Sequence, residues 1–96
     1  MKLEFHPEAE QELEEAALRY ESEVPGLGER LGAEVKRVTD LLLKYPDIGR
    51  EVGAERRKFS LDRFPFTLIY APSPDVLYIL AVAHDRRRPN YWRSRG

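Results

Sequence analysis

An α+β sandwich in the order β-α-α-β-β-β, an antiparallel sheet with a helical hairpin packed on one face, is the fold class that the sequence predicts. Three observations lead to it. Two stretches with apolar residues at helical spacing lie side by side in the first half, a Pro-Gly break separates them, and the second half turns to strand-like runs divided by proline-rich turns. With 96 residues, the chain is expected to form a single domain, 1–96.

Lys2 to His6 alternates, Leu3 and Phe5 against Lys2, Glu4 and His6, as a half-buried strand does. Pro7 then suits a first helical position, and Glu8, Glu10 and Glu12 suit the positive end of a helix dipole. The apolar stripe of this helix is Ala9, Leu13, Ala16, Ala17, Tyr20 and Val24. Pro25-Gly26-Leu27-Gly28 breaks it, and Leu27, Leu31, Val35, Val38, Leu42 and Tyr45 mark a second helix that ends at Tyr45-Pro46. Arg57, Phe59 and Leu61 alternate with Arg56, Lys58, Ser60 and Asp62 as a strand near an edge. Phe64 to Ala71 and Val76 to Ala83 are nearly continuous apolar runs, expected as central strands, and Pro72-Ser73-Pro74-Asp75 supplies their hairpin turn. The sheet face away from the helices is left open, and function is expected there.

Sixteen Lys and Arg against 17 Asp and Glu give a formal charge of -1, which by itself argues against a nucleic-acid partner. Position changes that reading. Residues 1–48 carry 6 cationic and 12 anionic side chains, whereas 49–96 carry 10 and 5, so an acidic helical half adjoins a basic sheet half. With no cysteine there is no disulfide framework and no thiol nucleophile. No apolar run is long enough to span a bilayer, and the N-terminus lacks a hydrophobic signal region, so a cytoplasmic protein with no membrane partner is expected.

Two basic clusters stand out: Arg56, Arg57 and Lys58 on the first strand after the helices, and Arg86, Arg87 and Arg88 after the last strand, with Arg93 and Arg95 beyond. Arginine grips phosphate or carboxylate bidentately, and Tyr91 and Trp92 lie among these cations with flat faces on which a base could stack. The competing expectation, stronger for Trp92, is that these aromatics tuck against the sheet as a C-terminal anchor. His84 shares strand parity with Val76, Tyr78, Leu80 and Val82, so it is either an acid–base group or a sheet histidine satisfied by its neighbours. His6 is expected to cap the first helix. No metal site is expected, because Glu12, Glu14 and Glu15 lack a ligand-like arrangement with His6, and no cofactor is implied. Leu18, Leu41 and Leu43 are candidates for a contact with a partner or a second copy.

The ending Ala81-Val82-Ala83-His84-Asp85-Arg86-Arg87-Arg88-Pro89-Asn90-Tyr91-Trp92-Arg93, the strand Phe64-Pro65-Phe66-Thr67-Leu68-Ile69-Tyr70 and the opening His6-Pro7-Glu8-Ala9 together resemble the RelE/ParE toxin superfamily of type II toxin-antitoxin systems. The resemblance covers nearly the whole chain in the same order. It implies a small toxin, linked to plasmid stabilisation and growth inhibition, that a cognate antitoxin wraps and neutralises. It also implies one of two targets: ParE-like members bind and poison DNA gyrase, and RelE-like members cut mRNA in the ribosome.

Metal-independent RNA cleavage needs a base for the 2'-OH, cations for the phosphate and an acid for the leaving oxygen. His84, Arg87 and Tyr91 are the candidates for catalysis, and Arg56, Lys58, Arg63, Arg86 and Arg88 those for holding nucleic acid or a protein target. The ending resembles the ParE-like branch more closely, and the single lysine of the strand at Arg56 to Ser60 and the low net charge point the same way. A ParE-like toxin acting by binding is therefore expected, with a ribosome-dependent endoribonuclease as the alternative.

Overall fold

The computed structural model describes residues 1–95. Lys2–Phe5 forms the first strand, β1, and the chain enters helix α1, Pro7–Glu23, through His6, whose Nδ1 accepts a hydrogen bond from the backbone N–H of Glu8 at 3.0 Å. That bond satisfies one of the donors that a helix start leaves without an intrahelical partner, as the sequence suggested for His6. The chain then reverses at Gly26, whose φ of +88° is open to glycine and strained for other residues, and helix α2 runs over Leu27–Lys44. Glu21 secures the reversal: its carboxylate accepts from the N–H groups of Gly26 and Gly28 at 2.7 and 3.0 Å. These bonds, led by the one from Gly26, hold the Glu21 carboxyl below its ordinary range.

The helical stripes do what their spacing predicted over their central turns. Ala9 and Ala16 of α1, and Leu31, Val35, Val38 and Leu42 of α2, are buried in the core. The ends differ: Val24 and Tyr45 are half exposed, because each lies just beyond its helix, where the 3.6-residue period no longer sets side-chain direction.

Four more strands complete the sheet: β2, Arg50–Glu51; β3, Arg57–Ser60; β4, Phe66–Pro72; and β5, Val76–His84. They lie in the order β1-β5-β4-β3-β2. The meander from β2 to β5 is antiparallel, as expected. Two features go beyond the sequence reading. The short β2 is an additional edge strand, and β1 joins the opposite edge parallel to β5, pairing Leu3 with Leu77 and Phe5 with Ile79. Because β2, β3, β4 and β5 alternate in direction, β1 runs the same way as β3 and β5, and the two helices deliver the chain to the far edge of the sheet antiparallel to β1.

A bulge decides how β5 presents its side chains. Ile69 of β4 pairs with Ala81, but the next residue, Tyr70, pairs with Ile79, so Leu80 is an extra residue on β5. Side chains on either side of it change phase. Leu77, Ile79 and Val82 all pack in the helix-side core, whereas Leu80 packs on the other face with Ile69, Ala81 and Ala83. The parity that grouped His84 with Tyr78 and Leu80 is thereby corrected, because a strict two-residue alternation does not survive an inserted residue.

The face away from the helices is not bare. The C-terminal turn folds over it and places Trp92, 5% exposed, on Ile69, Leu80, Ala81 and Ala83, with Val52, Ala71, Tyr78 and Tyr91 alongside. Burying an aromatic of that size stabilises the fold by roughly 2–3 kcal/mol. Among the described residues no helix is long and apolar enough to cross a membrane.

Candidate functional site

Around the end of β5, two hollows lie on opposite sides of the sheet. The first, of about 300 Å³, sits between α1 and β5 over Ala16, Phe66 and Val82 and is rimmed by Arg19, His84, Arg86 and Arg87. His84 stands edge-on to Phe66 at a ring separation of 5.1 Å, and its Nδ1 accepts the backbone N–H of Arg86 at 3.0 Å. The second, of about 230 Å³, opens on the face that Trp92 covers and is lined by Lys58, Thr67, Asp85, Arg87, Arg88 and Tyr91 among others. Sheet parity explains the division. Lys58 pairs with Ile69 and points to the Trp92 side, while His84 pairs with Phe66 and points to the helix side.

The residues singled out in the sequence therefore fall into three places. Lys58, Arg88 and Tyr91 share the second hollow, His84 and Arg86 share the first, and Arg87 borders both. Arg63 stands apart, at the turn between β3 and β4. Arg56 is engaged with the C-terminal segment: its guanidinium donates to the carbonyls of Arg93 and Arg95 at 3.1 and 3.0 Å and lies 5.6 Å from the Trp92 ring. Arg57 is engaged likewise, donating to the carbonyls of Asp47 and Gly49 and pairing with Glu51. Lys58, Arg63, Arg86 and Arg88 have no ion-pair partner among the described residues.

Between the two hollows lies a polar cluster that the sequence reading did not single out, centred on Glu12 and Arg95. Arg95 is 7% exposed and meets Glu12 as a fork, its two terminal nitrogens each 2.9 Å from a different carboxylate oxygen. Glu12 also accepts the Tyr91 hydroxyl at 2.7 Å and the Val82 N–H at 3.0 Å, and Arg95 donates to the Leu80 carbonyl at 3.0 Å. β1 stops at Ile79, so Leu80 and Val82 have no neighbouring strand on that side, and these two side chains satisfy their backbone groups instead. Arg87 lies 3.8 Å above the Tyr91 ring.

The cluster fixes the protonation of its members. Burial by itself raises the Glu12 pKa, but hydrogen bonds from Arg95, Tyr91 and Val82 outweigh that and hold the carboxyl below its ordinary value. Burial first, and then the hydrogen bond to Glu12, push the Tyr91 hydroxyl well above its usual range, so it stays protonated and committed to Glu12. A stability consequence follows from the sign. A carboxyl held below its unfolded value, here 4.5, stabilises the fold fully above that value and loses the contribution as pH falls through the folded value. In urea titrations from pH 7 to pH 3, the stability advantage of wild type over Glu12→Gln is expected to be constant near neutrality and to shrink below about pH 4.5. An advantage unchanged at pH 3 would mean that the Glu12 charge is not what holds the cluster.

Among the described residues no three His, Cys, Asp or Glu side chains are grouped so as to hold a metal ion. No signal along the chain announced the Glu12 cluster, since Glu12 is one of several glutamates on α1 and Arg95 one of several arginines near the end, 83 positions away.

Comparison with known proteins agrees with the architecture. The model of the family described as ParE toxin of type II toxin-antitoxin system, parDE, matches residues 3–89. Among solved structures, a chain of the chromosomal ParDE TA system from P. aeruginosa superimposes with a TM-score of 0.63 at 19% identity, covering 88% of this chain and 95% of that one. At that identity the likeness bears on the fold. No curated protein sequence matches the chain.

Proposed function

The chain belongs to the ParE toxin family and is a type II toxin component, and on that premise we propose that it acts in the cytoplasm by binding a protein target, DNA gyrase, and is neutralised by a cognate antitoxin. The observation that carries this reading is the separation of the would-be catalytic groups. General acid–base catalysis needs proton donor and acceptor within hydrogen-bond reach of one reacting group. His84 and Tyr91 border different hollows, and the Tyr91 hydroxyl is spent on Glu12.

The cations without ion-pair partners then serve for docking. Lys58 and Arg88 border one hollow, with Arg86 across the sheet, and an acidic or amphipathic segment of the antitoxin covers this basic end of the molecule. The alternative, ribosome-dependent cleavage of mRNA, draws on Lys58, Arg87, Arg88 and Tyr91 lining a single hollow.

Induced expression separates the two. On the binding reading, purified protein inhibits supercoiling by DNA gyrase while cellular mRNA stays intact, and His84→Ala keeps its toxicity. Lys58→Glu with Arg88→Glu is expected to lower gyrase inhibition at least tenfold, two charge reversals at a contact being worth more than 1.4 kcal/mol together. Cut mRNA with unimpaired gyrase, or loss of toxicity in a well-folded His84→Ala, would replace this reading with the nuclease.

A further inference from the structure

A hollow of about 560 Å³ lies away from both sites above, between α2, the C-terminal half of α1 and the turn joining β3 to β4. Tyr20, Leu27, Ala33 and Phe64 form its apolar lining, with Tyr20 and Phe64 packed edge to face at a ring separation of 5.4 Å. Its volume falls in the range of sites that accept a whole side chain or a small ligand.

The charges around it are unevenly satisfied. Glu34 meets the Arg37 guanidinium through both carboxylate oxygens, at 2.8 and 2.9 Å, and accepts the Asp62 backbone N–H at 2.6 Å. Arg37 also reaches the Asp62 carboxylate at 3.3 Å. Both carboxylates of the rim are thus held by one arginine, and they pin the β3–β4 turn to α2. The other two rim cations, Arg30 and Arg63, have no ion-pair partner among the described residues.

Arg63 also sits at φ +67°, a conformation that glycine adopts freely and that costs other residues on the order of 1 kcal/mol. A turn fastened to a helix on one side, holding a cation in a strained conformation beside an apolar pocket, is organised for contact. We propose that this pocket is a peptide-docking site, separate from the basic end that binds the target, which takes a large apolar side chain of a partner segment while Arg30 and Arg63 meet carboxylates flanking that side chain. The negative charge is required by complementarity: an occupant that covers the pocket brings two unpaired guanidinium groups towards low dielectric, and only an anionic partner offsets their loss of hydration.

The test uses the full isotopically labelled chain and three capped pentapeptides: EEWEE, QQWQQ, which lacks the charges, and EEAEE, which lacks the apolar anchor. Titration with EEWEE is expected to shift the amide resonances of Leu27, Ala33 and Phe64 to saturation. QQWQQ should bind at least fivefold more weakly, and EEAEE should not saturate. Arg63→Gly and Arg30→Ala should each weaken EEWEE about fivefold, the scale of one solvent-exposed charge contact. Arg63→Gly keeps the fold, because glycine relieves the positive φ, and its melting temperature should be no lower than that of wild type. Equal binding of QQWQQ, unchanged binding by both variants, or shifts centred on Lys58 and Arg88 would overturn the proposal. None of these outcomes depends on whether gyrase is the target.

Discussion

Glu12→Ala is expected to lower the unfolding free energy by about 3–5 kcal/mol, a large part of the stability of a domain of this size. The substitution leaves a nearly buried Arg95 with only the exposed Glu8 carboxylate, at 3.6 Å, as counter-charge, and the Tyr91 hydroxyl and the Val82 N–H without their acceptor. Urea unfolding at pH 7 and low salt measures it, and the melting temperature should fall by about 15 °C or more. The companion result is sharper still. Breaking a buried pair is costly, whereas replacing both members by apolar groups of similar volume is often close to neutral, so Glu12→Leu with Arg95→Met should recover most of the loss. A loss below about 1 kcal/mol in Glu12→Ala would place the pair among solvent-screened surface contacts and refute its role in closing the sheet edge.

Gly49→Ala is expected to cost about 3 kcal/mol or more, for a reason of space. A Cβ there would fall against the Tyr70 hydroxyl and 2.8 Å from the Lys58 carbonyl oxygen, closer than side-chain carbons are found. Tyr70 cannot yield easily. It is fully buried, its hydroxyl donates to the Pro46 carbonyl at 2.8 Å, and the same oxygen accepts the Gly49 N–H at 2.9 Å. The penalty combines overpacking with the loss of a buried hydrogen bond. Gly32→Ala serves as the contrast: nothing lies within 4 Å of a Cβ there, the position is helical, and a gain of roughly 0.5–1 kcal/mol is expected. Equal effects of the two substitutions would show that the close approach at Tyr70 is relaxed in solution.

The candidate site was less legible than the fold. Helices and strands followed from local pattern, and the capping role of His6 from its place before Pro7. The basic residues at 56–58 and 86–88 were also visible, but their availability was not. Arg56 and Arg57 spend their guanidinium groups on backbone carbonyls, while Lys58 and Arg88 remain open to a partner. Nothing in the immediate sequence of Arg56, Arg57 and Lys58 distinguishes their fates, because the carbonyls that capture the first two belong to segments brought in from elsewhere in the chain. The anchoring of Trp92 was anticipated from size alone, since an indole next to an otherwise bare apolar sheet face buries more area than any other side chain available.

By itself the sequence determined the order of the elements apart from the short β2, the central turns of the helix-side core and the two central strands, since periodicity, proline and glycine act within a few residues and do not need to know what lies across the fold. Only the tertiary structure decided the parallel seat of β1 beside β5, the Leu80 bulge that turns His84 away from Lys58 and Tyr91, and the meeting of Glu12 with Arg95 across 83 positions. Each of these depends on which distant backbone groups are left without a partner once the strands have paired. The pairing of the whole chain settles that, and no local window contains it.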